Sequence, residues 1–277
     1  MVHTCTMAKK GSVSILGCGW YGIHLGAELQ SAGYAVRGST TSEHKLSLLR
    51  EKGIEAFQIE IRGDEIVGDK LFFDCDILII SMPPSLGSTG PDEYRARFNV
   101  LLSELKCRQF QSVIFISSIG VYGNPNKEVT ELEPPQPDTG SGTVLLDAEL
   151  RLKTELSTAV TILRFAGLIG PGRHPGRFLA GKKGVENGVA PVNLVHLHDC
   201  TGLTRKIIDL KVFGRTYNIC APQHPSREDY YTRAAAIGRY EIPQFKKELT
   251  KWKTVSSVYI PSEITWNYLD LTQPSLF

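Results

Sequence analysis

Residues 14–22 read SILGCGWYG. Gly17, Gly19 and Gly22 stand in the spacing Gly-x-Gly-x-x-Gly, where the apolar run SVSIL (12–16) stops and a helical pattern starts. In residues 20–32, Ile23 and Ala27, and Leu25 and Leu29, recur at helical spacing, and Gly33 closes the segment. A strand that turns through glycines into a helix brings backbone N–H groups and the positive end of a helix dipole to one point. Gly17 permits the sharp turn, Gly19 lets a pyrophosphate approach the backbone, and Gly22 lets the helix pack close to the strand. The alternative is a tight turn with no ligand. In this strand-loop-helix setting the motif predicts a dinucleotide site, with Gly17, Gly19, Trp20, Tyr21 and Gly22 around the diphosphate and the backbone amides of 17–22 gripping it.

The rest of the chain repeats the same unit. YAVRG (34–38), IEAFQIE (54–60), DILIIS (76–81), SVIFISS (112–118) and VTILRF (160–165) read as strands. Residues 43–51, 92–106 and 143–157 read as the helices between them. Strand alternating with helix predicts an α/β fold, a Rossmann-type doubly wound parallel sheet, whose ligand lies at the carboxyl ends of the strands. Residues 11–165 form this dinucleotide-binding domain, joined by short strands near 192–197 and 216–220. Residues 166–191 and 221–277 form a small C-terminal substrate lobe, and residues 1–10 a disordered N-terminal extension.

Composition excludes several classes. The 277 residues are 42% hydrophobic and 22% charged, with a net charge of +2. No broad basic field is present to draw nucleic acid or a membrane surface. No apolar run reaches the roughly 18–20 residues of a membrane span. MVHTCTMAKKG (1–11) has no apolar segment of a secretory signal. The six cysteines (Cys5, Cys18, Cys75, Cys107, Cys200 and Cys220) include no Cys-x-x-Cys pair and no zinc spacing, which fits a reducing cytoplasm.

The second strand continues into RGSTTSEHK (37–45). NAD sites usually carry an acid about 20 residues after the loop, on the ribose 2′-OH. Here no carboxylate precedes Glu43, and Ser39, Thr40 and Lys45 are available to a 2′-phosphate, so NADP is favoured over NAD. Thr40 and Glu43 also have capping-box spacing. Ser81, Met82 and Pro83, at the end of the fourth strand, stand beside the expected cofactor, as does Ser117 at the end of the fifth.

FISSIGVYG (115–123) ends a strand in two serines followed by Val-Tyr-Gly. The stretch resembles the extended short-chain dehydrogenase/reductases, the group of nucleotide-sugar epimerases and dehydratases. LRFAGLIGPG (163–172), NLVHLHD (193–199) and YNIC (217–220) resemble further blocks of that group in the same order, and Asn99 falls where the family places an active-site Asn. The resemblance implies that Ser118 bonds the substrate oxygen. It also implies a Tyr-x-x-x-Lys pair in which the Lys lowers the pKa of the Tyr. SGTVLLDAE (141–149) supplies the Glu that follows this pair as Glu149, which puts Ser141 at the Tyr position and Leu145 at the Lys position. A serine hydroxyl does not titrate near neutrality, and a Tyr with pKa of about 10 needs a cation to approach it. The chain therefore resembles an atypical branch that keeps the glycine loop and lacks the pair.

Tyr122, close to Ser118, is a candidate substitute acid. Arg173, His174 and Arg177, in the loop after the sixth strand, are candidates for clamping an anionic substrate. Arg164 reads as a core bond, Cys18 as a small filler, and His196 and His198 as lacking a third metal ligand, so no metal site is expected. The expected function is that of an NAD(P)-binding oxidoreductase or epimerase-like protein acting on a small, anionic, nucleotide-sugar-like carbonyl or hydroxyl substrate. A non-catalytic protein that binds the nicotinamide dinucleotide and reports its pool is the alternative. ILGCGWYGIHLGAELQSAGYAV (15–36) also looks like the opening of the β-hydroxyacid dehydrogenases, which have a largely helical second domain. Family members often pair through helices, so a homodimer is the expected assembly.

Overall fold

A computed structural model describes residues 10–84, 90–273 and 276. Apart from Lys10, the N-terminal extension, with Cys5, lies outside the described residues. Seven strands form one sheet: β1 (Ser12–Leu16), β2 (Ala35–Thr40), β3 (Glu55–Gln58), β4 (Ile77–Ile80), β5 (Ser112–Ser118), β6 (Ala159–Phe165) and β7 (Thr216–Ile219). Their order is β7-β6-β5-β4-β1-β2-β3. The chain builds outward from β1 to β3, then returns to place β4 on the other side of β1. Ile79 lies opposite Ile15 in β1 and Ile114 in β5, all in parallel register. The reversal of order between β1 and β4 opens a crevice at their carboxyl ends.

The apolar runs explain the centre of this sheet. Val13, Ile15, Leu78, Ile79 and Ile80 are fully buried, as in strands covered on both faces. Ser14 tolerates the same burial because its hydroxyl donates to the Phe72 carbonyl at 2.6 Å. Helix α1 (Trp20–Ser31) buries Leu25 and Leu29. After α2 (Leu46–Glu51), helix α3 (Gly90–Lys106) buries Tyr94, Phe98, Leu101, Leu102 and Leu105 along one stripe. Helix α4 (Gly140–Glu155) precedes β6.

Three features depart from the sequence reading. The third strand stops at Gln58, and Glu60–Arg62 pairs antiparallel with Glu65–Val67 in a hairpin turned by Gly63 and Asp64. Strand Leu194–His196 pairs with Gly167–Ile169 and not with the main sheet. At Leu197 it gives way to helix α5 (Leu197–Leu210), whose Cys200, Leu203 and Ile207 are buried at helical spacing. His198 therefore belongs to the helix, while His196 ends the strand.

The chain divides into two compact units. The first holds the described part of Met1–Ser117, with Asp147–Ile162 and Thr204–Arg215. The second holds Ser118–Leu146, Leu163–Leu203 and Thr216–Phe277. Within the second, Ile169, Val192, Leu194, Ala221, Tyr230 and Leu271 form a buried cluster. This unit also pairs Lys127–Val129 with Lys253–Val255, in parallel. Helix α6 (Arg227–Ile237) is capped by Ser226, which accepts from the Asp229 N–H. These paired strands do not fit the helical second domain of the β-hydroxyacid dehydrogenases. Among the described residues no helix is long and apolar enough to cross a membrane.

Gly17 and Gly33 separate strain from clash. Both have positive φ, +82° and +95°, but a Cβ on Gly17 would stand 2.4 Å from the Ser81 carbonyl oxygen, while one on Gly33 would meet nothing within 4 Å. Gly33→Ala is expected to cost about 1–2 kcal/mol from the left-handed backbone alone. Gly17→Ala is expected to cost clearly more, and urea denaturation of the two variants checks the order.

Candidate functional site

In the first unit the glycine loop is tied down from β2. The Gly17 N–H donates to Ser39 Oγ at 3.0 Å, and the Cys18 N–H to the Ser39 carbonyl at 2.7 Å. The Gly19 N–H donates to the Gly17 carbonyl at 2.8 Å. Three of the amides expected to grip a diphosphate are thus engaged inside the loop. The loop leads directly into the first turn of α1. Gly19 is the N-cap, its side-chain position empty, and the first helical bond runs from the Ile23 N–H to the Gly19 carbonyl.

The glycines differ in what they are for. Gly17 is demanded by its backbone and by Ser81. A Cβ on Gly22 would come within 3.2 Å of Ile15, so this glycine serves the packing of α1 on β1. A Cβ on Gly19 would meet nothing within 4 Å. Neither its φ nor its packing asks for glycine, and the bare backbone there faces open space.

Beside the loop lies a cavity of about 180 Å³. Gly17, Ser39, Thr40, Thr41, Ser81, Met82 and Pro83 line it together with Leu16, Ile59, Ile61, Tyr94 and Arg97. Ser81, Met82 and Pro83 thus stand with the loop, held there by the Ser81 N–H on the Leu16 carbonyl at 2.8 Å. Ser39 is only 1% exposed, and its oxygen serves Gly17. Thr40 accepts from the Ser42 N–H at 3.1 Å, and the capping box with Glu43 does not form. Both line the cavity, yet their oxygens work for the backbone. Lys45 is exposed in the 3-10 turn Glu43–Lys45.

Tyr21 turns inward, sharing a hydrogen bond with Thr204 Oγ1 at 2.8 Å, so it offers the loop only its backbone. Trp20 is half-buried, its ring edge-on to His24. Burial pushes the Cys18 thiol up to about 12, which leaves it a filler and no thiolate. Ser117 is 5% exposed and bonds Glu149 Oε1 at 2.5 Å, so its hydroxyl faces a buried carboxylate on α4. Asn99 is exposed, and its side-chain carbonyl accepts from Arg151.

In the second unit, Ser118 caps the 3-10 turn Ile119–Tyr122 by accepting from the Gly120 N–H at 3.1 Å. This fixes the oxygen and leaves the hydroxyl proton to be donated. Tyr122 is 3% exposed; it donates to Asn218 Oδ1 at 2.9 Å and accepts from Arg164 Nη1 at 2.7 Å. The Arg164 guanidinium also lies 4.8 Å from the ring centroid. Burial nonetheless holds the phenol above its ordinary value, against the opposing pull of Arg164. The Tyr122 oxygen, expected to face the substrate, thus has a protein partner on each side. Arg164 is the buried core bond that the sequence suggested.

His174 accepts from the Gly176 N–H through Nδ1 at 3.0 Å, capping a short turn, and its ring leans on Tyr240. Burial lowers its pKa, which favours the neutral imidazole. Arg173 and Arg177 are exposed. Burial also lowers the His196 pKa. Among the described residues no group of three or more His, Cys, Asp or Glu side chains is placed to hold a metal. The sequence reading missed two cations. Lys253, 8% exposed, donates to the Gly123 carbonyl, and burial lowers its pKa. Arg97 lies three residues from Tyr94 in α3, beside the buried stripe, and a charge in that position was the available signal.

A seven-stranded parallel sheet with a glycine turn at its switch point defines a Rossmann-like α/β protein. Solved structures share the fold over nearly the whole chain. A functionally unknown conserved protein from Silicibacter pomeroyi matches with a TM-score of 0.76 and 21% identity, covering 94% of this chain and 95% of that one. UDP-glucuronic acid 4-epimerase from Bacillus cereus, in complex with NAD, matches with a TM-score of 0.76 and 18% identity over 94% and 93%. MoeE5, in complex with UDP-glucose and NAD, gives 0.75 and 16% over 96% and 97%. No family model matches the sequence. Protein YeeZ of Escherichia coli K12 is 37% identical over 262 residues, 92% of this chain and 95% of its own length, and the chain belongs to the YeeZ family.

The buried polar group yields a direct test. Tyr122→Phe leaves Asn218 Oδ1 and one Arg164 N–H without their partner, and is expected to cost about 1–3 kcal/mol of stability by chemical denaturation. An unchanged midpoint would mean that the network is loose in solution.

Proposed function

We propose that the chain binds a nicotinamide dinucleotide, with the diphosphate at the first turn of α1 and the adenosine end in the adjoining cavity. On this reading it acts as an oxidoreductase or epimerase-like protein on a small, anionic, nucleotide-sugar-like carbonyl or hydroxyl substrate. The open backbone at Gly19, set at the mouth of the cavity-lining strands β1, β2 and β4, carries the proposal. The names of the structural neighbours support it, since MoeE5 and the Bacillus cereus epimerase were solved with NAD. The dinucleotide, when bound, supplies hydride transfer.

The chain's own residues have narrower tasks. Ser118, with its oxygen fixed and its proton available, polarises the substrate oxygen. Arg173 and Arg177 offer charge and fork geometry to an anionic group. With Ser141 and Leu145 at the Tyr and Lys positions and Tyr122 committed, proton transfer falls to water or to the substrate itself. That same commitment favours a second reading, in which the chain binds the dinucleotide without turning it over.

Gly19→Ala separates binding from folding. Its Cβ meets no protein atom, so the cost to stability is expected to stay at about 1 kcal/mol or below, the range for alanine at an N-cap. Dinucleotide affinity, measured by calorimetry, is expected to fall at least tenfold. Unchanged affinity would sink that diphosphate placement. Turnover on a panel of nucleotide sugars and ketones, followed by nicotinamide absorbance and lost in Ser118→Ala, selects the enzyme. Tight binding with no turnover selects the second reading.

A further inference from the structure

Among the described residues Arg97 is the only charged one lining the cavity, and none of those lining it is acidic. Its Nε is buried without a hydrogen-bond partner among the described residues. A buried donor left in this state costs free energy that a ligand acceptor or water would recover. Glu60, the carboxylate that feels the charge of Arg97, is already held by Arg62 at 2.6 Å. Next to Arg97 on α3, Tyr94 donates to the Met82 carbonyl at 3.2 Å, which ties that helix to the end of β4. The helix therefore presents an unspent guanidinium to a cavity whose own rim hydroxyls, Ser39 and Thr40, serve the backbone.

An NAD site places a carboxylate on the ribose 2′-OH, whereas an NADP site places an arginine near the 2′-phosphate. We propose that Arg97 is the specificity residue of this cavity, taking the 2′-phosphate of the adenosine ribose, so that the chain selects NADP over NAD. This rests on the dinucleotide reading above and adds to it the form of the cofactor. The guanidinium fork suits a phosphate better than any neutral group on the rim. Thr41, exposed on the same rim, is free to add a hydroxyl bond to the same phosphate.

Calorimetry on the whole chain tests this without any activity assay. The wild type is expected to bind NADP at least tenfold tighter than NAD, and adenosine 2′,5′-bisphosphate at least tenfold tighter than AMP. Arg97→Gln is expected to erase both differences while NAD affinity stays within threefold. Arg97→Lys is expected to keep part of the preference, and circular dichroism checks that each variant folds. Equal wild-type affinities, or a preference for NAD, overturn the assignment and leave the dinucleotide site standing. An Arg97→Gln loss shared equally by NAD and NADP overturns it too, because the arginine would then stack on adenine and ignore the phosphate. If the wild type binds neither dinucleotide, the dinucleotide reading falls and takes this assignment with it.

Discussion

At the carboxyl end of β1 the backbone of Gly17 passes so close to the Ser81 carbonyl that no side chain fits between them. This close approach of β1 to β4 is the constraint on which the first unit depends. It requires the left-handed turn at Gly17, and that turn aims the chain into α1. Ser39 completes the arrangement from β2, holding the Gly17 and Cys18 amides with its hydroxyl and carbonyl oxygens. With those bonds made, three of the loop's amides, at Gly17, Cys18 and Gly19, are engaged within the protein.

The fold was legible because its central strands are buried on both faces and read as unbroken apolar runs. The hairpin after β3 was not, because IEAFQIE runs through Ile59 into Ile61 without a break that sequence alone marks as a strand end. Only the two-residue turn at Gly63 and Asp64 betrays it. Helix α5 was hidden because NLVHL has strand character up to His196, and the helical spacing of Cys200, Leu203 and Ile207 starts just beyond.

The candidate site was legible where backbone decides and obscure where side chains do. Glycine spacing speaks of backbone, so Gly17, Gly19 and Gly22 lie where they were expected. Ser39, Thr40, Ser117 and Tyr122 were read as polar groups facing a ligand. The structure engages each with the protein itself, since a hydroxyl near a strand end has backbone and carboxylate partners within easy reach. A sequence shows that a hydroxyl exists but not what has already taken it. Arg97 was missed for the converse reason: a charged residue on a long helix reads as solvated until the neighbouring strands are placed.

Among the described residues both units keep buried polar atoms without a hydrogen-bond partner, Arg97 Nε in the first and Gln223 Oε1 and Tyr268 Oη in the second. In the second, Tyr122, Arg164 and Asn218 form a closed network. Asn218 also reaches Ser256 through Nδ2 and Glu131 through its N–H. Lys253 takes the Gly123 carbonyl at the far end of the turn that Ser118 caps. Such a network costs little once complete and fixes one conformation. Here it holds the Val121-Tyr122-Gly123 stretch that follows the Ser118 cap. In the first unit a Cβ on Gly19 would meet open space, and Arg97, which lines the cavity, has a buried Nε without a hydrogen-bond partner among the described residues. A protein keeps such costs where something else meets them. On the proposed reading, dinucleotide binding belongs to the first unit, which holds the glycine loop and the cavity.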